Sequence, residues 1–260
     1  MNIFVCIKQV PDTTEVKFDP ETGTLIRKGV PTIINPDDKA GLEAALRLKD
    51  QFGATVTVVT MGPMQADVAL REALAMGADE AYLISDRAFG GADTYATSIT
   101  IASAIRKIGG YDLIITGRQA IDGDTAQVGP QIAEHLGLAN ISYAEDIKME
   151  EDSIIVKRQF EDRYHLIKAK LPCLITALSE LNAPRYMTPG GIIDAYAKEI
   201  HILTKADLDL ADDQIGLKGS KTRVFKSYDK EAKGAGTVVN LDVAESVEWL
   251  MDKLATKYII

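Results

Sequence analysis

The stretch YDLIITGRQAIDGDTAQVGPQIAEHLG, residues 111–137, contains the three parts of a βα unit. Its apolar start is typical of a buried strand, its middle is a loop of glycine and small polar residues, and its end has the pattern of a helix that stops at Gly137. Parallel sheets are built from such units, because each crossover returns the chain to the same edge. The stretch therefore predicts an α/β fold if similar units occur elsewhere.

Three similar units precede it. NIFVCIKQV at 2–10 is a continuous apolar run of the kind that is buried on both faces of a parallel sheet. TVTVVTMG at 55–62 and EAYLIS at 80–85 are the next strands, with helical patterns between them. Four units in series predict a Rossmann-like parallel sheet flanked by helices, which is the fold class we expect.

Other segments depart from this rhythm. EVKFDPETGTLIRKG at 15–29 has two β-prone arms around a Pro-Glu-Thr-Gly turn, which predicts a hairpin. Beyond Gly137, three runs occur at hairpin spacing: SIIVKRQF (153–160), RYHLIKAKL (163–171) and CLITAL (173–178). This spacing predicts an antiparallel extension of the sheet.

The end of the chain predicts a separate arm. Residues 206–240 are polar, with little periodicity, and we interpret them as an extended linker. DVAESVEWLMDKLAT at 242–256 follows as an amphipathic helix, with Val243, Val247, Leu250 and Leu254 on one stripe. That stripe packs either on its own domain or on a partner subunit, and the linker favours the partner. We expect an α/β domain over 1–205 and an arm with a C-terminal helix over 206–260.

Composition excludes several classes of function. The chain has 260 residues and a net charge of −9, which argues against a nucleic-acid-binding surface. No run approaches the roughly 20 apolar residues of a membrane span. The N-terminus does not have the pattern of a signal peptide, so we expect a cytoplasmic protein. Cys6 and Cys173 lie inside apolar runs, which indicates buried thiols, and their spacing suggests no metal site or disulfide.

Ligands of open parallel sheets bind at the carboxyl ends of the strands, and the loop after the fourth strand is the strongest candidate. Gly117 and Gly123 permit close backbone approach and positive φ. A helix that begins near Thr125 offers free N–H groups to a phosphate, and Arg118 supplies a counter-charge. Asn35 precedes Pro36 as an N-cap followed by a proline at the first helical position, and this helix start could approach the same edge.

Two acids in this loop stand where the charge of a phosphate would go. Asp124 is a suitable N-cap for the helix, turned away from the phosphates. Asp122 has no such role, and we expect it to face ribose or ribityl hydroxyls, or solvent. The loop predicts a nucleotide site that tolerates both acids.

Familiar catalytic motifs are absent from the sequence. It has no G-x-G-x-x-G after the first strand and no G-x-x-x-x-G-K-[ST], which argues against a standard Rossmann dehydrogenase and a P-loop ATPase. His135, His165 and His201 are scattered singly, and no catalytic acid, base or nucleophile is evident. The sequence therefore indicates a protein whose chemistry is carried by its ligand.

Six motifs together resemble the electron-transfer flavoprotein beta subunit family. They extend over most of the chain up to about residue 200, and the fourth and sixth are specific to that family. The six are IKQVPDT (7–13), NPDDKAGLEAALRLKD (35–50), ALAMGAD (73–79), GRQAIDGDTAQVGPQ (117–131), KLPCLITA (170–177) and NAPRYMTPGGI (182–192).

The resemblance implies a heterodimer with an alpha subunit, which carries the electron-transferring FAD. In the simple branch of the family the beta subunit binds structural AMP. In the bifurcating branch it binds a second FAD, which takes a hydride from NADH. One electron then goes to ferredoxin or flavodoxin, and the other passes through the alpha-subunit FAD to an acyl-CoA dehydrogenase or a quinone reductase. The subunit would thus act within an NADH-dependent flavin oxidoreductase complex.

Carried over by motif, the resemblance implies two sets of residues. The cofactor-binding set is Cys6, Asn35, Pro36, Asp37, Asp38, Met61, Gly117, Arg118, Gln119, Ala120, Ile121, Asp122, Gly123, Asp124, Thr125, Ala126, Gln127 and Val128. The partner-docking set is Pro184, Arg185, Tyr186, Met187, Thr188, Pro189, Gly190, Gly191 and Ile192.

Two departures bear on the branch. The simple branch carries a leucine anchor in the docking loop, whereas this chain has Pro189 near that position, which argues against simple-branch partners. The phosphate loop, with Gly123 and Ala126, resembles the bifurcating branch, and small residues there make room for a dinucleotide. The sequence favours FAD over AMP. The remote alternative is a non-redox adenine-nucleotide regulator of the universal-stress type.

Overall fold

The structure is a computed structural model that describes residues 1–12, 31–225, 234 and 236–260. The chain divides into two units, Met1–Phe225 and Lys226–Ile260. The hairpin expected at 15–29 lies outside the described residues.

The strands of the first unit form one large sheet and one small one. Within the described residues they are, in chain order, β1 (Asn2–Cys6), β2 (Gln9–Pro11), β3 (Thr32–Ile34), β4 (Thr55–Met61), β5 (Glu80–Ile84), β6 (Leu113–Gly117), β7 (Ala139–Glu150), β8 (Ser153–Gln159), β9 (Tyr164–Lys170), β10 (Cys173–Ala177) and β11 (Ile200–Leu203).

The helices of this unit connect and cover the strands. They are α1 (Pro36–Phe52), α2 (Asp67–Met76), α3 (Thr94–Ile108), α4 (Val128–Leu136), α5 (Pro189–Ala197) and the single turn α6 (Gly216–Gly219).

The large sheet has the order β11-β5-β4-β1-β6-β10-β7-β8-β9, and its strands are parallel from β11 to β7. From β1 the chain adds β4 and β5 on one side and then crosses to β6 on the other side. The order therefore reverses between β1 and β6, and a crevice at the carboxyl ends of two such strands is the usual ligand site of an open α/β sheet. The predicted α/β fold class is confirmed.

Alternating residues of β1 divide the core into two layers. Ile3 and Val5 point to the layer of α1 and α2, where Leu46 is fully buried. Phe4 points to the layer of α3 and α4, where Ile132 is fully buried. This burial on both faces explains why the strand is a continuous apolar run.

The antiparallel extension is confirmed for β8 and β9, which pair antiparallel with each other. Strand β7, which the sequence analysis did not predict, pairs antiparallel with β8 and joins this extension to the parallel strands. The assignment of CLITAL at 173–178 to that extension is wrong. Its strand, β10, lies between β6 and β7 and is parallel to both. Hairpin spacing could not show that the chain returns to the centre of the sheet, because this placement depends on tertiary pairing.

Residues up to Phe225 belong to the first unit. Leu208 and Ile215 are buried in the layer of α3 and α4. Asp93, the N-cap of α3, accepts hydrogen bonds from the backbone N–H groups of Lys221 and Thr222 at 2.7 and 2.8 Å. Residues 206–225 are polar in composition, yet they pack on the surface of the first unit and form hydrogen bonds with it.

In the described part of the second unit lies helix α7 (Val243–Thr256), whose N-cap Asp242 accepts a hydrogen bond from the Glu245 N–H. Val243, Val247 and Leu250 are exposed on this helix. Exposed apolar side chains that are aligned along one face of a helix mark a surface for contact. Within the described residues, none of the helices has the length and apolarity to cross a membrane.

Candidate functional site

The carboxylate of Asp38 joins the ends of the two strands at which the sheet order reverses. Its Oδ2 accepts the N–H of Lys8, just after β1, at 2.7 Å, and its Oδ1 accepts the N–H of Gly117, the last residue of β6, at 3.0 Å. A Cβ on Gly117 would overlap Asp38 Oδ1 and lie 2.8 Å from the Asp38 nitrogen. Gly117 is therefore required by close packing.

The surroundings of Asp38 are unusual for a carboxylate. Burial raises the pKa of Asp38 to about 7, although hydrogen bonds from Asn35, Lys8 and Gly117 favour its charged form. Burial and the neighbouring Asp38 raise the pKa of the Cys6 thiol to about 12, so the thiol is protonated at neutral pH. Cys6 lies at the site as a small packing residue and not as a nucleophile.

Asn35 holds the loop after β6. It occupies the N-cap position of α1, as expected, but its side chain makes no capping hydrogen bond. Its Nδ2 donates to the carbonyl oxygen of Gln119 at 2.8 Å, and its Oδ1 accepts the N–H of Ile121 at 3.1 Å. Asn35 is buried, and it fixes the first half of the loop through the main chain.

The second half of the loop does not continue into the helix. Asp124 and Ala126 both have a φ of +52°, which is incompatible with a right-handed helix. The helix therefore begins at Val128, and the expected start near Thr125 is wrong. The positive φ expected at Gly117 and Gly123 falls on these two residues instead.

Asp124 is not the N-cap, so that prediction is also wrong. The N-cap of α4 is Gln127, whose side chain makes no capping hydrogen bond. Asp124 instead accepts a hydrogen bond from Nε2 of Gln119 inside the loop. Oε1 of Gln127 accepts the hydroxyl of Thr94 at 2.7 Å. Since the side chain of Gln127 does not cap α4, the N–H groups of Val128 and Gly129 are available to an anion, whereas Pro130 has no N–H and Gln131 donates to the carbonyl oxygen of Gln127.

The charge of Asp122 is neutralised by Lys8. Nζ of Lys8 lies 2.6 Å from Oδ1 of Asp122, whose side chain is only 8% exposed. Of the two surroundings expected for Asp122, solvent is excluded by this burial, and the sequence does not show that Lys8 reaches this loop from the end of β1. That Asp122 faces ribose or ribityl hydroxyls stays a prediction. Two residues 114 positions apart in the chain form this pair.

Asp37 and Arg118 form a looser pair at the same edge. Nε of Arg118 lies 3.4 Å from Oδ2 of Asp37. Both atoms are buried, and neither has a hydrogen-bond partner among the residues that the structure describes. Burial raises the pKa of Asp37, while the charge of Arg118 acts in the opposite direction. A buried guanidinium nitrogen without a partner is a donor that an anion can use.

Two glycines define the space around the helix start. A Cβ on Gly129 would overlap the hydroxyl of Thr116 and lie 2.9 Å from Cγ2 of Thr176, so α4 packs tightly on β6 and β10. A Cβ on Gly123 would have no heavy atom within 4 Å. The helix is therefore held close to the sheet, while the loop in front of it leaves open space.

The implied cofactor residues lie along one edge of the sheet. Cys6 ends β1, Met61 ends β4, and Asn35–Asp38 form the start of α1. Residues 117–128 follow β6 and extend to the start of α4. We refer to residues 117–128, the residues Asn35–Asp38 and Lys8 together as the cradle. Lys8 follows shortly after β1, and the sequence analysis did not identify its pairing with Asp122 or the contacts of Gly129 and Thr94.

The implied docking residues divide into exposed and internal ones. Tyr186 is 94% exposed, and Met187 and Ile192 are also exposed. Arg185 instead binds Glu43 and Asp50 of α1. Gly191 lies against α2, where a Cβ would collide with the carbonyl oxygen of Ala75. The remaining residues of the set, which the structure exposes, are Pro184, Thr188, Pro189 and Gly190.

Among the described residues, no group of three or more His, Cys, Asp or Glu side chains could hold a metal ion. The site offers main-chain N–H groups, a free guanidinium nitrogen and neutralised acids. It can bind an anionic ligand, and the described part of the site contains no arrangement of acid, base and nucleophile.

Comparison with known proteins agrees with this description. Residues 22–208 match the electron transfer flavoprotein domain. The chain is 55% identical to the electron transfer flavoprotein subunit beta of Clostridium acetobutylicum and 56% identical to the caffeyl-CoA reductase-Etf complex subunit CarD of Acetobacterium woodii. It is 49% identical to the acryloyl-CoA reductase electron transfer subunit gamma of Anaerotignum propionicum. Each match covers 100% of both chains.

Proposed function

The chain belongs to the electron transfer flavoprotein family as a beta subunit, and on this premise we propose that its cradle binds FAD in an electron-bifurcating heterodimer. The observation that supports this most is the uncapped start of α4, which faces a loop with open space at Gly123. Such a helix start suits a pyrophosphate, and the open space suits a ligand larger than AMP.

The residues of the cradle would act by binding and orienting. The first-turn N–H groups of α4 and the Nε of Arg118 would neutralise the pyrophosphate. Lys8 would keep Asp122 from repelling it, because that carboxylate is already paired. The side chains of Asn35 and Asp38 form hydrogen bonds with main-chain groups at the ends of β1 and β6 and in the loop after β6. We therefore propose that they position this part of the main chain and do not bind the adenosine.

FAD in this position would supply the redox chemistry, taking a hydride from NADH and giving one electron to ferredoxin or flavodoxin and one to the alpha-subunit FAD. The protein contributes the position of the cofactor and the environment around it. The protonated Cys6 thiol and the fully buried Asn35 side chain indicate that water has little access to the inner end of the site.

The final acceptor we propose is an acyl-CoA dehydrogenase that reduces a CoA thioester. Two relatives that match the whole chain are named for reductases of caffeyl-CoA and acryloyl-CoA. Both substrates are α,β-unsaturated thioesters, which favours this class over a quinone reductase. The arm and α7 would contact the alpha subunit, since the apolar stripe of α7 is exposed.

The alternative in the same family is a simple carrier with AMP in the cradle, because the helix start suits a single phosphate equally well. The remote alternative of a non-redox regulator is disfavoured by membership of the family. Co-expression with the alpha subunit, followed by measurement of FAD and AMP per heterodimer, tests these possibilities. Two FAD with bleaching by NADH support bifurcation, whereas one FAD with one AMP supports the simple carrier.

A further inference from the structure

We propose that Arg185 is a positioning residue, which fixes the docking segment on α1 and does not itself bind the electron acceptor. The docking segment is defined as residues 184–197, comprising the last part of the loop after β10 and helix α5. The proposal rests on the proposed function, because it assumes that this segment meets the acyl-CoA dehydrogenase.

The guanidinium of Arg185 is directed at the protein's own helix. Nε donates to Oε2 of Glu43 at 2.8 Å, and one terminal nitrogen donates to Oε1 of Glu43 at 3.2 Å and to Oδ2 of Asp50 at 2.8 Å. The backbone N–H of Arg185 also donates to Oε2 of Glu43 at 3.1 Å. This forked geometry is the strong form of an arginine–carboxylate contact.

Glu43 is placed where it cannot meet a partner. Its side chain is only 5% exposed, and it also accepts a hydrogen bond from Arg47 one turn further along α1. The hydrogen bonds from Arg185 and Arg47 lower the pKa of Glu43 against the effect of burial, so it is ionised at neutral pH. Any effect of Glu43 on the acceptor must therefore pass through a residue bound to it, and Arg185 makes three hydrogen bonds to Glu43 where Arg47 makes one.

The other end of the segment is fixed to α2. Arg71 donates to the carbonyl oxygens of Ala195 and Lys198, the latter at 2.6 Å, and so satisfies the C-terminal end of α5. Nζ of Lys198 donates to the carbonyl oxygen of Ala78 at 2.7 Å. The segment is thus fixed at both ends, to α1 by Arg185 and to α2 by Arg71.

Between these two attachments the segment exposes large apolar side chains. Tyr186 is 94% exposed, and Ile193 and Tyr196 are each 73% exposed. A rigid backbone that carries exposed aromatic side chains binds more tightly than a mobile one, because little conformational entropy is lost on binding. Arg185 contributes by holding the backbone from which Tyr186 projects.

The test uses the purified heterodimer and a purified acyl-CoA dehydrogenase, with the rate of electron transfer measured against dehydrogenase concentration. We expect R185Q and E43Q to raise KM about tenfold with kcat unchanged, and the double variant to be no worse than either single variant. R185K, which keeps the charge but loses the fork, should raise KM by a smaller factor. R163Q, which removes an exposed arginine elsewhere, is the charge control and should leave KM unchanged.

Hydrogen exchange provides the second readout. In R185Q and E43Q the amides of 184–192 should exchange about tenfold faster than in the wild type, with unchanged flavin content. D50N tests the same attachment from an exposed position, where loss of the carboxylate does not disturb the core. It should raise KM and speed exchange by smaller factors than E43Q.

The outcomes distinguish the positioning role of Arg185 from the premise that the docking segment meets the acyl-CoA dehydrogenase. An increased KM in R185Q with a normal KM in E43Q and D50N would show that Arg185 touches the acceptor directly, and the positioning role would be lost. Y186A tests the premise, because Tyr186 is exposed and makes no part of the attachment. An unchanged KM in Y186A, R185Q and E43Q together would instead show that the segment does not dock the dehydrogenase.

Discussion

Lys8 and Asp122 lie 114 positions apart in the chain, yet their side chains meet at 2.6 Å across the mouth of the cradle. If the loop binds an anionic ligand as proposed, this pair explains how the loop accommodates a carboxylate. The ammonium of Lys8 offsets the charge of Asp122, so Asp122 would not repel a phosphate held by the N–H groups of the helix start.

Replacement of Lys8 by Gln should weaken FAD binding about tenfold, because the 8%-exposed carboxylate of Asp122 then remains unpaired beside the pyrophosphate. Asp122→Asn alone should leave FAD bound, and the double variant should recover most of the loss. Flavin content and the dissociation constant from flavin fluorescence provide the measurement. If Asp122→Asn releases the flavin, Asp122 itself holds the ligand and the pairing is secondary.

Gly117→Ala should lower the free energy of unfolding by about 1–3 kcal/mol and reduce flavin content, because its methyl group would overlap Asp38 Oδ1. Gly123→Ala is the matched control in the same loop, with no atom near its new Cβ, and should change stability by less than about 0.5 kcal/mol. Thermal unfolding of both variants measures the difference. Equal destabilisation by the two substitutions would contradict the close contact at Gly117.

Asp38 should make stability depend on pH in a defined window. Burial raises the pKa of Asp38 from its ordinary value of 3.8 to about 7, so between these values the folded state binds more protons than the unfolded state. The contribution of Asp38 to the free energy of unfolding therefore falls as pH rises through this window, by at most about 1.4 kcal/mol per pH unit, and is constant above pH 7. Comparison of unfolding midpoints of wild type and Asp38→Asn from pH 5 to 8 isolates this contribution. Parallel pH profiles for the two proteins would refute it.

Asp93→Asn should release the chain just before the second unit. Asp93 accepts hydrogen bonds from Lys221 N and from the N–H and hydroxyl of Thr222. Burial raises the pKa of Asp93, but the hydrogen bond from Ala96 N and these bonds outweigh it and lower the pKa. We expect the amides of 220–225 to exchange about tenfold faster in the variant. Asp86→Asn is the control, since Asp86 accepts from Lys205 N and its loss should act there instead. Unaltered exchange at 220–225 in Asp93→Asn would argue against this attachment.

The exposed stripe of α7 should be required for assembly with the alpha subunit. Val247→Glu and Leu250→Glu place a charge on a surface that is about half exposed in this chain, and burying an unpaired charge is costly. Both variants should reduce co-purification of a tagged alpha subunit at least about tenfold. Asp252→Lys alters charge on the opposite face of the helix and should have no effect. Normal assembly of the two Glu variants would assign the stripe to another contact.

Local sequence patterns predicted the βα units well, because each strand and helix of this part carries its own periodicity and its own stop signal, such as Gly53 and Gly137. They failed where a conformation depends on distant residues. β10 could not be placed between β6 and β7, since its neighbours are chosen by pairing across the sheet. The helix start was set three residues early, because nothing local indicates that Asp124 and Ala126 adopt positive φ.

In the candidate site, too, the sequence predicted what depends on the order of the elements and failed where contacts between distant residues decide. The position of the cradle followed from the general rule for strand ends, which needs only the order of the elements. The partners of its polar side chains did not follow, since Asn35 was expected as a cap and instead holds Gln119 and Ile121. A cap and a loop anchor require the same residue type, so only the folded chain distinguishes them.

Helix α1 contributes both to the cradle, through Asn35 and Asp38 at its start, and to the attachment of Arg185, through Glu43 and Asp50 along its length. A shift of one residue in this helix would turn every side chain by about 100° and disconnect both sets of contacts at once. Gly123 has open space around an added Cβ and Tyr186 is 94% exposed, so we expect substitutions at these two positions to alter nucleotide binding and acceptor binding separately. A substitution that displaces α1 should instead disturb the cradle and the attachment of Arg185 together.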